Sequence, residues 1–172
     1  KIIATGTADN KLRLWNAKTG SQIGDAMLHP NSILRLAFNA DGQKIITACS
    51  DNTARVWNVA DGTECGPVLP HNNHVYAVAF SPNGKLILTG SKDNLVRMCD
   101  ATTGELIFEP LQHGGWVHAV SFSPDGLNFL TGCEDGTAQM WDTATGKPIG
   151  DPIKHRGPVR VATYSPDGCM FV

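Results

Sequence analysis

Short apolar segments alternate with polar turn clusters along the whole chain, and the copy that begins at His113 shows the pattern clearly. Residues 116–122, 127–133 and 137–141 are rich in β-forming residues, and residues 147–153 lead from a turn to His155. The turn sequences SPDG, EDG and DTATG separate these segments. Turn clusters of Gly, Pro, Asn and Asp recur about every ten residues, which is too often for stable isolated helices. The pattern predicts four short strands per unit and an all-β protein.

The same unit recurs at a fixed spacing of 42 residues. The residues that mark this spacing are Asp9, Asp51, Asp93 and Asp135, and His29, His71, His113 and His155. A fixed period indicates one supersecondary unit that buries a face against its neighbour. Four antiparallel strands in such a unit are typical of a β-propeller blade. We therefore predict one propeller segment over 1–172, with a partial blade at 1–29, blades at 30–71, 72–113 and 114–155, and the start of another blade at 156–172.

The repeated residues resemble those of the WD-repeat β-propellers. Each unit has a His before its first strand, the hairpin sequence FSPDG or a variant, and a Thr followed four residues later by Asp. Three units end their third strand on Trp followed by Asp or Asn, at Trp15, Trp57 and Trp141. Two features depart from the family pattern: the Gly usual before the repeated His is absent, and Cys99 replaces one Trp. The resemblance implies a partial or open arc of a larger propeller.

The recurrence of Thr, His and Asp raises the alternative of a hydrolytic site. A catalytic triad needs one nucleophile in one cleft beside an oxyanion hole, whereas this set recurs from unit to unit. The resemblance implies a structural network in which the loop His bonds the turn Asp and the Thr hydroxyl, and the Thr accepts the indole N–H. We therefore expect no catalytic residue. The blade of Cys99 lacks the indole and is predicted to be the weakest, so restoring Trp should raise stability if the surroundings have not closed in.

Positions that differ between the repeats are where a partner can distinguish one blade from another. In the WD-repeat family, partners often bind the rim that carries the entry to the first strand and the loop before the Asp. The matching positions with aromatic, imidazole or charged side chains are His74, Tyr76, Lys92, Trp116, His118, Glu134 and Arg160. Such groups are typical of interface hot spots. The alternative is that Tyr76 and Trp116 fill gaps between blades while the charges are solvated.

Composition and charge narrow the expected ligands. The net charge is -2 and the basic residues are scattered, which favours neither nucleic acid nor an anionic membrane as a partner. Close His pairs such as His71 and His74 lack the further ligands that zinc requires, so we expect no metal and no cofactor. Five cysteines without a CxxC pair, in a chain without an Asn-x-Ser/Thr sequon, favour a reducing, cytoplasmic location.

These observations predict a non-catalytic scaffold that binds a protein or peptide on the propeller rim. The alternatives are a propeller enzyme with a site in its central channel and a pure spacer or assembly module. The connecting strands resemble those of repeat arrays in large bacterial signalling proteins, where a kinase or NTPase is often fused to the propeller. Residues 1–5 and 159–164 have the pattern of unpaired strand edges, so self-association that completes a ring is also expected.

Overall fold

The computed structural model describes residues 1–171, which contain β-strands and turns but no helix. The strands form four separate antiparallel sheets, which confirms the predicted all-β class and the blade architecture. Since no helix occurs in residues 1–171, that range also contains no helical segment that could span a bilayer.

Each sheet is one blade, and the blades follow one another along the chain. Blade 1 comprises β1 (Ile2–Gly6), β2 (Lys11–Asn16) and β3 (Gln22–Leu28). Blade 2 comprises β4 (Ile33–Phe38), β5 (Lys44–Cys49), β6 (Thr53–Asn58) and β7 (Leu69–Pro70). Blade 3 comprises β8 (Val75–Phe80), β9 (Leu86–Ser91), β10 (Leu95–Asp100) and β11 (Leu111–Gln112). Blade 4 comprises β12 (Val117–Phe122), β13 (Asn128–Cys133), β14 (Thr137–Asp142) and β15 (Pro148–Lys154).

The first strands of blades 2, 3 and 4 form the inner wall of the arc. Within each of these blades the strand order follows the chain, so β4, β8 and β12 lie at one edge of their sheets. Strand β8 contacts both β4 and β12, which places the three strands side by side across the blade boundaries. The blades form an open arc, as the sequence predicted.

The first strands of blades 2, 3 and 4 each contain a β-bulge at the same repeat position. The shifts in pairing fall between Ile33 and Arg35, between Val75 and Ala77, and between Val117 and Ala119. The extra residues are therefore Leu34, Tyr76 and His118. A bulge bends its strand and changes the direction of nearby side chains. The residues that vary between blades thus lie where the backbone departs from regular pairing.

The outer strands differ in length between the blades, although the sequence predicted four strands in every unit. Strands β3 and β15 have 7 residues each, whereas β7 and β11 have 2. In the long strands, Gly24 and Gly150 have positive φ angles of 64° and 66°, beside a shift in the pairing register. In blade 2 the equivalent Gly66 is followed by Pro67, which cannot donate to the sheet, and blade 3 has Phe108 there. The bulge that lets the outer strand continue therefore forms only in blades 1 and 4.

The orphan strand predicted at 159–164 is not paired in a sheet. Residues 158–163 have no strand pairing, and Tyr164 forms a single antiparallel bridge with Phe171. This bridge has the register of Phe122 and Phe129, one repeat earlier. A strand needs a partner, and in this register the partner strand would begin at residue 170. Val172, the last residue of the predicted segment 156–172, lies outside the described residues.

The edge of blade 1 formed by β1, on the side away from the outer strand β3, is unpaired within residues 1–171. Strand β1 is the terminal strand of a three-stranded sheet, and the side chains of Ile2 and Ile3 are 39% and 51% exposed. Unpaired strand edges are templates for pairing with another chain. This edge is the feature on which the expected self-association rests.

Each boundary between neighbouring blades encloses its own hydrophobic cluster. The cluster between blades 1 and 2 includes Leu12, Leu14, Met27, Ile33, Ile45 and Trp57. The equivalent cluster between blades 2 and 3 includes Ala54, Val56, Leu69, Val75, Ile87 and Cys99. Most positions of the second cluster have smaller side chains than their equivalents in the first. The replacement of Trp by Cys is therefore part of a wider reduction in volume at this boundary.

Candidate functional site

The repeated His, Thr and Trp side chains form one hydrogen-bonded unit. The indole N–H of Trp57 donates to Thr47 Oγ1 at 3.1 Å, and His29 Nε2 lies 2.9 Å from the same oxygen. The equivalent distances to Thr131 Oγ1 are both 2.9 Å. Thr47 is completely buried, so its hydroxyl satisfies polar groups that have no access to water. The repeated set has a structural role in the blades.

The His–Asp hydrogen bond that the family resemblance implies occurs in one blade only. His71 Nδ1 lies 3.3 Å from Asp93 Oδ2, and Arg97 and the Asn72 backbone N–H donate to the same carboxylate at 2.9 Å and 3.0 Å. In the buried His29 and the half-buried His113, Nδ1 lies 3.3 Å and 3.1 Å, respectively, from the backbone carbonyl oxygen two residues earlier. Burial would raise the pKa of Asp93, but its hydrogen bonds outweigh burial and hold that pKa below its usual range. Within residues 1–171 the blade without Trp thus has a His–Asp contact that the others lack, whereas its Arg–Asp pair has equivalents in blades 1 and 2.

Stability is expected to fall between about pH 7 and pH 5, where the unfolded chain begins to bind protons at its imidazoles. Burial lowers the pKa of His29, His71 and His113, so the unfolded state binds protons more readily than the folded state. The stability from these neutral side chains is fully present above the unfolded pKa and is lost as the pH falls towards the folded pKa. Thermal melts across this range measure the effect, and equal midpoints at both ends would contradict it.

Four ring side chains of the predicted partner-binding set lie together at the boundary of blades 3 and 4. Between ring centroids, Tyr76 is 5.3 Å from His118, with which it stacks, and 6.1 Å from Trp116. His74 is 6.3 Å from Tyr76. We call His74, Tyr76, Trp116 and His118 the ring cluster. Because its members come from two blades, it forms only when the blades pack against each other.

Two charged residues of the predicted set flank the ring cluster. Lys92 Nζ, from blade 3, lies 4.2 Å from the ring centroid of Trp116 in blade 4, which is a cation–π distance. Glu134 contacts His118 Nε2 within blade 4. The backbone N–H groups of Lys92 and Glu134 each donate at 2.8 Å to the carbonyl of the residue just before the first strand, His74 and Trp116 respectively. The same loop position therefore brings a charge to the ring cluster in both blades.

Trp116 remains accessible despite these contacts. Its side chain is 38% exposed, and among the described residues the clusters at the blade boundaries do not include it. An indole that filled a gap between blades would be buried like Trp57, which is 6% exposed. The geometry of Trp116 thus favours the surface interpretation over gap filling.

Arg160 lies outside the ring contacts but borders an opening shared with Tyr76 and His118. This opening has a volume of about 240 Å³ and lies between β4, β8, β12 and residues 160–163. We call it the inner opening. Arg35 of β4 also borders it, and the lining residues within 1–171 include no carboxylate. Elsewhere in the described chain, no group of three or more His, Cys, Asp or Glu residues is placed to hold a metal ion.

Sequence reasoning missed Arg35. The repeat alignment places Leu34 at the position of Tyr76 and His118, and the bulge in β4 brings the next residue to the wall of the opening. The signal available in the sequence was one charged residue in an otherwise apolar strand, ILRLAF.

The stacked antiparallel blades and their shared His–Thr–Trp units define a repeat protein of the β-propeller class. The family model described as "WD domain, G-beta repeat" matches residues 25–58, 63–100 and 104–142. These matches cover more than half of the chain, and the chain therefore belongs to the WD-repeat family. Repeats of this family serve as protein-interaction scaffolds.

Curated relatives match over a short segment. Over 45 residues the chain is 44% identical to eukaryotic translation initiation factor 3 subunit I of Aspergillus fumigatus and 42% identical to that of Emericella nidulans. The aligned segment covers 26% of this chain and 13% of each relative. The aligned length is close to that of one repeat, so the match supports the assignment of the repeat to the WD type.

Proposed function

We propose that this chain is a non-catalytic scaffold that binds a protein or peptide on its rim. The binding surface, which we call the partner surface, consists of His74, Tyr76, Lys92, Trp116, His118, Glu134 and Arg160. The observation that carries the proposal is that aromatic and charged side chains of two blades meet at one accessible patch. The repeated Thr47, Thr89 and Thr131, in contrast, are buried. Large amphipathic rings beside charges are typical of the residues that dominate binding energy.

Two other functions have less support. A channel enzyme needs a nucleophile beside a base. At the inner opening the hydroxyls of Ser121 and Thr163 donate to backbone carbonyls, and His118 Nε2 contacts Glu134. A spacer would need no accessible indole. Trp116, however, is 38% exposed and lies 4.2 Å from Lys92 Nζ. The relatives are named as subunits of an initiation factor, which supports a role for this chain as one component of a larger cytoplasmic assembly.

We expect Trp116→Ala and Tyr76→Ala each to weaken binding of a purified partner by about tenfold or more, since hot-spot residues contribute about 2 kcal/mol or more. The partner is obtained by affinity capture from the source cell, identified and purified, and its dissociation constant is then measured by calorimetry. The matched controls are Ser32→Ala and Leu34→Ala, which change the equivalent positions of blade 2.

These variants also distinguish the scaffold function from the spacer and from the channel enzyme. Equal affinity of all four variants would favour the spacer, provided that thermal melts show the variants to be folded. A specific hydrolytic rate that His113→Ala abolishes without unfolding would favour the channel enzyme.

A further inference from the structure

We propose that the inner opening takes an acidic side chain of the bound partner, an Asp or Glu of a peptide segment, between Arg35 and Arg160. A neighbouring apolar residue of the same segment packs on Trp116. This inference rests on the proposed function, because it names the chemistry of the partner that the scaffold binds.

The charges around the opening favour an anionic ligand. Arg35 and Arg160 are exposed, and within residues 1–171 neither they nor Lys92 forms an ion pair. The one carboxylate at the ring cluster, Glu134, is already in contact with His118. The chain as a whole has a net charge of -2, so the local charge at the opening has the opposite sign to the net charge of the chain. An Arg pair without a carboxylate is suited to charge-assisted hydrogen bonds with an incoming anion.

The shape of the opening suits a side chain with an aliphatic stem. Its lining combines the apolar side chains of Leu36, Ala77, Val78 and Ala119 with the hydroxyls of Ser121 and Thr163. The apolar lining contacts the methylene groups of the ligand, while Arg35 and Arg160, which both border the opening, bind its carboxylate. Small sites of this kind commonly have mainly apolar walls and a few polar groups that fix the orientation of the ligand.

The ring cluster argues against a single-stranded nucleic acid as the occupant. Tyr76 and His118 stack on each other with an interplanar angle of 26°, so the faces they share are closed to a base. Binding of single strands requires a cationic groove that follows the backbone and free ring faces on which bases stack. Here two cations without ion pairs in the described part of the chain, Arg35 and Arg160, border one small opening, which fits one acidic group better than a line of phosphates.

The test is a selection of short random peptides on the purified 172-residue chain. We expect enrichment of peptides that combine Asp or Glu with a neighbouring apolar residue. The same selection on a double variant, Arg35→Gln with Arg160→Gln, should lose the enrichment of acidic residues. The matched control is Arg156→Gln, because Arg156 is exposed but lies outside the lining of the opening. All variants replace exposed side chains, and their folding is checked by thermal melts.

Affinity measurements on one enriched peptide make the test quantitative. Replacing its acidic residue with the uncharged amide should weaken binding to the wild-type chain about tenfold or more, and high salt should weaken it as well. On the double variant, the acidic and amide peptides should bind with the same affinity.

The outcomes distinguish this inference from the proposed function. Peptides that need Trp116 but carry no acid, or acidic peptides that still bind the double variant, would overturn the inference and leave the scaffold function intact. A selection that enriches no peptide at all would count against both. Displacement of the peptide by a short single-stranded RNA at similar concentration would assign the opening to phosphate binding and overturn the inference.

Discussion

Replacing Trp57 with Cys is expected to lower the free energy of unfolding by about 3 to 5 kcal/mol, the usual cost of truncating a buried Trp. The indole is 6% exposed and packs in the cluster between blades 1 and 2. Its ring centroid lies 4.6 Å from that of His29, and its N–H donates to Thr47. The substitution removes this volume while the large side chains around it, such as Leu12 and Leu14, remain in place. A cavity results because the neighbouring strands are held by their own hydrogen bonds.

The opposite substitution, Cys99→Trp, is expected to lower stability by about 1 to 3 kcal/mol because of overpacking. The sequence expectation of a gain required a site that had not closed around Cys99. In the structure, a Cβ placed on Gly66 would lie 3.6 Å from the Ala101 carbonyl oxygen, whereas one on the equivalent Gly24 would meet nothing within 4 Å. At this position, two residues from Cys99, blade 2 thus lies closer to blade 3 than blade 1 lies to blade 2.

Thermal or denaturant unfolding of Trp57→Cys, Cys99→Trp and Cys99→Ala distinguishes these sites. Cys99→Ala is the control, because it changes little volume at a buried thiol whose pKa burial raises to about 11. A melting midpoint for Cys99→Trp above that of wild type would show that space remains at this boundary and would contradict the expected sign.

Replacing Thr47 with Val is expected to cost about 2 to 5 kcal/mol, because two buried groups lose their partner at about 1 to 3 kcal/mol each. The two groups are the indole N–H of Trp57 and Nε2 of His29, at 3.1 Å and 2.9 Å from the hydroxyl oxygen. The change in size is small, so the loss reports mainly on the hydrogen bonds. Calorimetric or denaturant unfolding gives the free energy difference.

The matched control is Thr89→Val in blade 3, where no indole is present. Thr89 is equally buried and its hydroxyl lies 2.8 Å from His71 Nε2. Only one buried group loses its partner there, so the expected cost is about 1 to 3 kcal/mol. Equal losses for the two Thr variants would mean that the indole hydrogen bond contributes nothing measurable to stability.

The sequence by itself determined the fold class and the repeat, and its resemblance to the WD-repeat family implied the structural role of the repeated His, Thr and Trp. These features depend on local patterns that recur every 42 residues. A short strand between two turns buries its apolar face mainly by packing against the neighbouring repeat. The variable positions were also visible in the sequence, because each differs from its counterparts at a fixed place in the repeat. From the sequence alone, it was only an expectation that Tyr76 and Trp116 belong to one surface.

Only the tertiary structure decided how those positions meet. The Lys92–Trp116 contact and the stack of Tyr76 on His118 each join two blades, so they depend on packing between units that the sequence describes separately. The bulge that brings Arg35 to the inner opening depends on pairing with β5, and the single bridge at Tyr164 depends on how much of a partner strand is present. A repeat pattern specifies what each blade contains, because its interactions are local. The relative positions of side chains on different blades follow from the volumes packed between them, as the small cluster around Cys99 illustrates.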